Sequence, residues 1–376
     1  MESQNNSRIS VHTFTYIYTC SYADYIRLQK DLQSYLKKRQ DRLYPTEWDI
    51  AESSIKIKAL TTHFFRQEGI NDITFERILN SSGEIRGHYI KFLVNPRRLL
   101  GYEENPFTEL IDAERLIEVP GAIDRIIKKF CMDTQSVTRY GKFHRIDYCT
   151  NFWFQSQGEV EEYMKLLKKA RIPKRFSLHK IYDPIQHRKK SGKYDITLHC
   201  KSYDLSIYLK QPQMISRKND YKYPEDEICH AEGQLRIELR SSRRKLYHLK
   251  KSQNCTEDEL LTMPDSRSLN TILKNLKHMY GAGDFYCYSE AQKIIKDSDY
   301  TKKVKDKMLD ILFTVKTTRS LDSEKNGLDP DYLSKNMKYF NDLLLSPITI
   351  PKKCIHNFCP NPIRYIIGYT NDYLKL

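Results

Sequence analysis

Apolar and polar residues along the first 154 positions follow the periods of strands and helices in turn. Period-two alternation, typical of half-buried strands, covers residues 9–20, 53–60, 87–94 and 142–154. Apolar residues at helical spacing cover residues 25–39 and 122–130, with a helical period already present from Asn105 to Val119. The resulting order, strand-helix-strand-strand-helix-strand, is that of a ferredoxin-like split βαβ unit.

A second set of elements follows up to residue 240. The pattern predicts a helix over 159–170, a strand over 176–183, a hairpin of 193–200 with 204–210, and a strand over 232–240 after a polar loop. We therefore predict an α+β fold. Its antiparallel sheet is of the split βαβ kind, is possibly duplicated, and carries helices on one face.

From about residue 243 the pattern is helical, with breaks at Pro264, Gly281–Gly283 and Gly327–Pro330. The polar stretch KKSQNCT (250–256) predicts a domain boundary. We expect an α+β domain over 1–250 and a small helical domain over 251–376. The helical domain is expected either to read duplex DNA or to be a packed accessory bundle.

Composition excludes several classes of protein. Apolar residues make up 39% and charged residues 30% of the chain, which argues against a disordered protein. No run of eighteen apolar residues occurs, and residues 1–9 lack the plan of a secretory signal. The nine cysteines include no C-x-x-C pair and are interpreted as reduced, packed thiols. We expect a soluble cytoplasmic protein without a membrane partner.

Charge is the first pointer to function. The chain has 63 Lys and Arg against 48 Asp and Glu, a net charge of +15, and this excess favours a polyanionic partner. The basic residues form short clusters at 165–175, 187–193, 240–245 and 301–307. The clusters favour nucleic acid over a membrane surface. The candidate nucleic-acid contacts are Arg145, Lys189, Lys190, Arg240, Arg243 and Arg244.

Three predicted strands each place chemically active side chains on one face. In the first strand this face carries Arg145, Asp147, Cys149 and Asn151; in the second, Ser206, Tyr208 and Lys210; in the third, Arg236, Glu238 and Arg240. If the strands are neighbours, carboxylates, a phenol and basic groups meet. Such carboxylates can hold a divalent cation, and the cation and the basic groups can stabilise charge on a phosphate under attack.

The same stretches resemble plasmid and phage rolling-circle replication initiators. The resemblance rests on NPRRL (95–99), RIDYCTN (145–151), SIYLKQPQ (206–213) and LRIEL (235–239), which occur in that order. They are similar to the class of initiators that joins an R-[IL]-D strand, an IY-x-K strand and an R-[IV]-E strand. That class lacks the His-x-His motif of other nickases, and this chain has no His-x-His either.

The resemblance implies a reaction and a role for each matched residue. Tyr208 would be the nucleophile that nicks and rejoins one DNA strand at an origin through a 5′-phosphotyrosyl intermediate. Lys210 and Arg236 would be the basic catalytic positions, and Asp147 and Glu238 would hold Mg²⁺ or Mn²⁺. Residues 1–250 would be the DNA-nicking domain. Origin duplex and single-stranded DNA, a second copy of the chain and a host helicase are the implied partners.

Several alternatives stay open from the sequence. A conjugative relaxase of the same lineage would perform the same chemistry at a transfer origin, and a non-catalytic DNA-binding protein could share the scaffold. Tyr182, in KIYDPIQ (180–186), is a rival nucleophile, although no basic residue follows it two positions on. Asn151 stands where the family often has a second acid, which would reduce the charge available to a metal.

Overall fold

In the computed structural model, the described residues are 9–49, 56–131, 137–179, 181–183, 188–190, 192–218, 223–262, 266–351, 357–361 and 363. They form two compact units. The first unit comprises Ile9–Cys149 and Arg240–Asp265, and the second comprises Thr150–Leu239 and Ser266–Leu376. No helix in the described ranges combines the length and the apolar character needed to cross a membrane.

The described strands are β1 Ser10–Thr19, β2 Tyr44–Asp49, β3 Lys56–Thr62, β4 Ile70–Leu79, β5 Ile85–Val94, β6 Lys142–Trp153, β7 Ser177–Leu178, β8 Ile181–Asp183, β9 Arg188–Lys190, β10 Asp195–His199, β11 Tyr203–Leu209, β12 Gln234–Ser242, β13 Phe285–Tyr286 and β14 Phe358–Cys359. The α-helices are α1 Tyr22–Lys37, α2 Pro96–Leu99, α3 Val119–Lys128, α4 Val137–Tyr140, α5 Gln157–Leu167, α6 Lys210–Ser216, α7 Glu225–His230, α8 Arg243–Gln253, α9 Glu259–Thr262, α10 Ser266–Tyr280, α11 Tyr288–Asp297, α12 Lys302–Thr318, α13 Ser323–Asn326 and α14 Pro330–Asp342. Two 3₁₀ helices cover Phe64–Glu68 and Ala113–Glu118.

The first unit contains the predicted split βαβ arrangement. Its strands lie in the spatial order β2-β3-β4-β5-β1-β6, and the pairs of β1 with β5, β1 with β6 and β4 with β5 are antiparallel. The inner four, β4-β5-β1-β6, have the order of a ferredoxin-like sheet, so this part of the fold prediction is confirmed. β2 and β3 extend the sheet beyond β4.

One inner strand differs from the prediction. The pattern assigned the second strand to 53–60, but the described part of that segment, 56–60, falls on β3, and β4 takes the inner position. A register shift between Ile70 and Asp72 interrupts the alternation of β4 and conceals its period of two. The helical period over 105–119 also does not correspond to a continuous helix. The segment contains only the 3₁₀ helix Ala113–Glu118 before α3 begins.

Helix α1 covers the first unit's sheet with a regular apolar stripe. Tyr25, Leu28, Leu32 and Leu36 are buried, three or four residues apart, which is the spacing that predicted the helix. The Tyr25 ring meets Phe75 of β4 edge-on at 5.6 Å. The Ser21 side chain accepts a hydrogen bond from the backbone nitrogen of Asp24 and so caps the first turn.

Residues 240–265 return to the first unit through specific contacts with β6. The hydroxyl of Tyr148, a buried residue, donates a 2.8 Å hydrogen bond to the carbonyl of Leu260. The backbone nitrogen of Phe143 donates at 2.8 Å to Oε1 of Glu257. These bonds attach the segment to residues that lie about a hundred positions earlier in the chain. The predicted division into 1–250 and 251–376 stays a prediction.

The second unit confirms the predicted hairpin and places β12 beside it. The end of β6, β12, β11, β10 and β7 follow one another in space, and β10 pairs antiparallel with β11. Because β12 lies between β6 and β11, the order differs from that of the first unit, so this set is not a second split βαβ unit. The polar loop before β12 contains α6 and α7.

The predicted helical region is present as α10 to α14, with α11 and α12 separate where the sequence suggested one long helix. A buried amide fixes the loop between α10 and α11. The Nδ2 of Asn361 donates to the carbonyls of Gly281 and Gly283, and its backbone nitrogen donates to Oδ1 of Asp284. A buried loop of this kind must have its polar groups satisfied internally.

Replacing Gly69 by Ala is expected to destabilise the first unit. Gly69 has φ +89°, and a Cβ there would lie 2.1 Å from the backbone nitrogen of Leu99. The left-handed backbone alone costs a non-glycine residue about 1–2 kcal/mol, and the clash adds to that loss. Urea unfolding measures the change. Gly83→Ala is the matched control, because Gly83 has φ +81° and nothing within 4 Å; equal losses in both variants would contradict a steric role for Gly69.

Candidate active site

A buried phenol and a buried carboxylate meet between adjacent strands of the second unit. Tyr208, near the end of β11, donates a 2.5 Å hydrogen bond from its hydroxyl to Oε1 of Glu238 in β12. Tyr208 is 5% exposed and Glu238 is 1% exposed. The carboxylate therefore lies where a proton acceptor for the phenol must lie.

Arg236 adds a cation to the same strand as Glu238. Alternation along β12 puts the two side chains on one face. Arg236 is fully buried, and its Nε donates a 2.8 Å hydrogen bond to Oδ1 of Asn151 at the end of β6. Initiators of the class that the RIDYCTN motif resembles often have an acid at the position of Asn151. A neutral amide there orients the guanidinium without cancelling its charge.

Lys210 belongs to a helix rather than to the predicted strand. β11 ends at Leu209, and Lys210 is the first residue of α6. Pro212 stands in the first helical turn, where its missing N–H has no cost. Lys210 is 3% exposed, and its Nζ donates a 3.1 Å hydrogen bond to Oε1 of Gln213.

The surroundings of Lys210 weaken its hold on the ammonium proton. Burial and then the neighbouring charge of Arg236 lower the pKa of the Lys210 amine well below its ordinary value, while Glu238 and Glu227 oppose the shift. The amine therefore releases its proton more readily than a solvated lysine does. Four groups that can move or stabilise charge thus converge, namely Tyr208, Glu238, Arg236 and Lys210.

Sequence reasoning missed Asp195, which the hairpin places directly opposite Tyr208. Side chains opposite each other in an antiparallel pair share a face, with their Cβ atoms about 4.5–5.5 Å apart. The Asp195 carboxylate lies directly against Gly192, where a Cβ would come within 1.6 Å of its Oδ1. The signal was available, because the tight connection at Cys200–Tyr203 fixes this register.

Asp147, the other predicted metal ligand, belongs to the first unit. It is 2% exposed. Its Oδ2 accepts a 2.5 Å hydrogen bond from the Thr13 hydroxyl, and its Oδ1 lies 3.0 Å from Nε of Arg145. Arg145, a predicted nucleic-acid contact, therefore has a carboxylate partner within the chain. The roles assigned to both residues stay predictions.

The other predicted nucleic-acid contacts differ in accessibility. Arg243 and Arg244 are exposed in the first turn of α8, and Arg240 is half-buried in β12. Lys189 and Lys190 lie in β9, but their side chains are outside the described residues, as is that of Tyr182. These contacts also stay predictions.

The donor atoms near Tyr208 do not by themselves form a ligand set for a divalent cation. Within the described ranges, no three His, Cys, Asp or Glu side chains are grouped closely enough to hold one ion. Glu238 already accepts the Tyr208 hydroxyl, and its charged neighbours include the cations Arg236 and Lys210. The predicted Mg²⁺ or Mn²⁺ stays a prediction.

Comparison with known proteins gives one distant likeness. No family model and no curated protein matches the chain. A solved structure of a rolling circle replication initiator protein from Geobacillus stearothermophilus aligns with 8% sequence identity and a TM-score of 0.29. The alignment covers 65% of this chain and 78% of that one. A likeness at this level does not show a function.

Lys210→Met is expected to stabilise the protein at neutral pH, because it removes a buried amine whose charged form is disfavoured by burial. The pKa of Lys210 is lower in the folded than in the unfolded state, so between these two values the unfolded chain binds more protons. Wild-type stability should therefore rise with pH relative to the variant, and the variant's advantage should shrink as pH approaches the ordinary lysine pKa of about 10.4.

Urea unfolding of both proteins at several pH values between 7 and 10 checks this expectation. Lys201→Met, at an exposed position, is the control and should show a difference from wild type that does not change with pH. A pH-independent difference for Lys210→Met as well would contradict the burial of a titrating amine.

Proposed function

We propose that this chain nicks and rejoins one strand of DNA at a replication origin, with Tyr208 as the nucleophile. The observation that supports the proposal is the hydrogen bond from the Tyr208 hydroxyl to Glu238, with Lys210 and Arg236 buried beside it. Nucleophile, proton acceptor and cations are the parts that phosphodiester transfer to a tyrosine requires. The sequence motifs around these residues are those that resemble rolling-circle initiators.

Glu238 removes the proton in the first step. A phenol has a pKa of about 10 and is a weak nucleophile until it loses its proton. As the Tyr208 oxygen attacks the phosphorus, its proton passes to the Glu238 carboxylate. The bond from phosphorus to the 3′ oxygen breaks, which leaves a 5′-phosphotyrosyl link and a 3′ oxygen that takes up one proton. Rejoining is the reverse, with the 3′-hydroxyl as the attacking group.

Lys210 and Arg236 act on the phosphate in this proposal. Their positive charges stabilise the negative charge that develops on the phosphate oxygens, and this effect is strongest where water is excluded. Lys210, whose proton is held weakly because of burial and Arg236, supplies the proton to the departing 3′ oxygen. Asp195, opposite Tyr208, is a second carboxylate on the face that the DNA strand would approach.

Tyr208→Phe is expected to abolish formation of a covalent protein–DNA adduct while leaving DNA binding unchanged. The substitution removes only the attacking oxygen and keeps the buried ring. Supercoiled DNA that carries the region around the chain's own gene is the substrate, and adducts are counted on a denaturing gel. Tyr182→Phe, at the rival tyrosine, is the matched control and should keep full activity. Cleavage that survives Tyr208→Phe would overturn the assignment.

The same assay with Mg²⁺, with Mn²⁺ and with a chelator tests the predicted metal. Loss of cleavage in the chelator with restoration by either cation would support it, whereas full activity in the chelator would exclude it.

Glu238→Gln should reduce adduct formation by about 10²–10⁴-fold, the usual contribution of a positioned proton acceptor. An unaffected rate would remove Glu238 from the mechanism.

The burial of Tyr208 favours a second candidate, a non-catalytic DNA-binding protein on the same scaffold. A phenol that is 5% exposed is covered, and a buried tyrosine bonded to a carboxylate is also a stabilising arrangement. On this view Tyr208→Phe lowers stability by about 1 kcal/mol, the net value of one hydrogen bond, and the wild type forms no adduct with any DNA. Retardation on a native gel without a covalent product would support the binder.

A further inference from the structure

Two arginines of the second unit are held in place by neutral groups. Arg171 donates from Nε to the carbonyl of His278 and from Nη1 to the Ser334 hydroxyl at 3.2 Å. Arg175 donates from Nη2 to Oδ1 of Asn275 at 3.2 Å and to the Tyr203 hydroxyl. Their hydrogen-bond partners are therefore a carbonyl, hydroxyls and an amide.

Other cations of the chain have carboxylate partners. Arg145 is 3.0 Å from Asp147, and Lys91 is 2.9 Å from Glu76. Within the described part of the chain, Arg171 and Arg175 have no ion pair with an acid. Their positive charge is thus fixed in direction but not neutralised, which is the state that an anion-binding arginine requires.

Further basic side chains surround these two arginines on the same surface. Helix α10 presents Lys274, Lys277 and His278 at spacings of three and four residues, all of them exposed. Lys174 is exposed next to Arg175. Neither the sequence of α10 nor residues 168–177 contains an Asp or a Glu.

These neighbouring positive charges affect the pKa of His278 within the cluster. Partial burial, and after it the charges of Arg171, Arg175 and Lys274, lower the pKa of the His278 imidazole. Like charges brought together in this way cost stability, so the cluster is destabilising for the chain alone. A bound polyanion would remove that cost.

We infer that Arg171, Lys174, Arg175, Lys274, Lys277 and His278 form a binding surface for the phosphate backbone of duplex DNA, called here the α10 surface. It lies apart in sequence from every residue that the motifs single out, and it depends on the proposed function only in taking DNA as the polyanion. Six basic groups suit adjacent phosphates. In 168–176 and α10, the described part of the chain exposes no large apolar side chain, so the surface offers no ring on which unpaired bases could stack.

Two structural features make the surface well suited to a rigid backbone. Asn275, 3% exposed, also donates to the Tyr203 hydroxyl at 3.0 Å and to the carbonyl of Thr271 at 2.7 Å, so the amide that holds Arg175 is itself fixed. The backbone nitrogen of Arg171 donates at 3.0 Å to the carbonyl of Met279, which ties the 171–175 segment to the end of α10. The cations are therefore positioned before the ligand arrives.

The test replaces the three exposed lysines together, Lys174→Gln, Lys274→Gln and Lys277→Gln, in the full chain. Binding to a duplex oligonucleotide of arbitrary sequence is measured by fluorescence anisotropy at several salt concentrations, with a chelator present. The logarithm of affinity falls with the logarithm of salt by a slope of about 0.9 for each phosphate neutralised. The triple variant should lower that slope by about 3, one for each lysine, and bind at least tenfold more weakly at low salt.

The matched control is Lys293→Gln, Lys296→Gln and Lys325→Gln, three exposed lysines of the same unit that lie outside the four basic clusters and give the same loss of charge. It should keep the wild-type slope. The α10 surface is excluded if both triple variants lose the same amount, if the first keeps the wild-type slope, or if wild type does not bind duplex DNA. A single-stranded oligonucleotide of equal length bound more tightly than the duplex would overturn the choice of duplex.

Binding to arbitrary DNA in a chelator needs no nicking. A failure of Tyr208 as nucleophile and a failure of the α10 surface are therefore distinguishable. Because the three lysines make no hydrogen bond or ion pair within the described residues, thermal unfolding should show that the variants fold as wild type does, and any loss of affinity then reports the missing charges.

Discussion

The strongest constraint on the second unit is the burial of charged groups between β11 and β12. Arg236 is completely buried, and Glu238 and Lys210 are almost so. Taking an ion out of water costs several kcal/mol unless partners compensate for it. Hydrogen bonds from Tyr208 to Glu238, from Arg236 to Asn151 and from Lys210 to Gln213 supply part of that compensation and hold these side chains in place. The position of β11 beside β12 and the start of α6 at Lys210 bring these side chains together.

The cations of the chain fall into groups that differ in the partners of their positive charge. Arg145 and Lys91 each have a carboxylate partner in the first unit, and the pair of Lys91 with Glu76 joins β5 to β4. Arg236 and Lys210 are buried, with only partial compensation, where a reaction would need positive charge. Arg171 and Arg175 are oriented by neutral oxygens at the surface, where a polyanion can reach them. A net charge of +15 could not distinguish these groups, because it counts side chains without their partners.

Sequence periodicity located those elements whose alternation is uninterrupted. β1, β5, β6 and the β10–β11 hairpin fell where the pattern put them, and so did α1 with its stripe of buried residues. β4 was missed because the register shift at Ile70 and Asp72 breaks its period. The strand through Tyr208 was extended by one residue too many. Lys210 continues its alternation in the sequence, yet the backbone already turns into helix there.

The sequence by itself determined the α+β class, the split βαβ order of the first unit, the basic character and the segments that contain Tyr208, Arg236 and Glu238. These properties follow from local periods and from counting charge, which need no knowledge of distant neighbours. Only the tertiary structure decided which strands are adjacent, that Tyr208 contacts Glu238, that Asp195 faces Tyr208, and that α10 brings its lysines to Arg171 and Arg175. Those facts depend on contacts between residues up to about a hundred positions apart. The alternation within a strand is the same whichever strand lies beside it, so the sequence pattern cannot identify the neighbour.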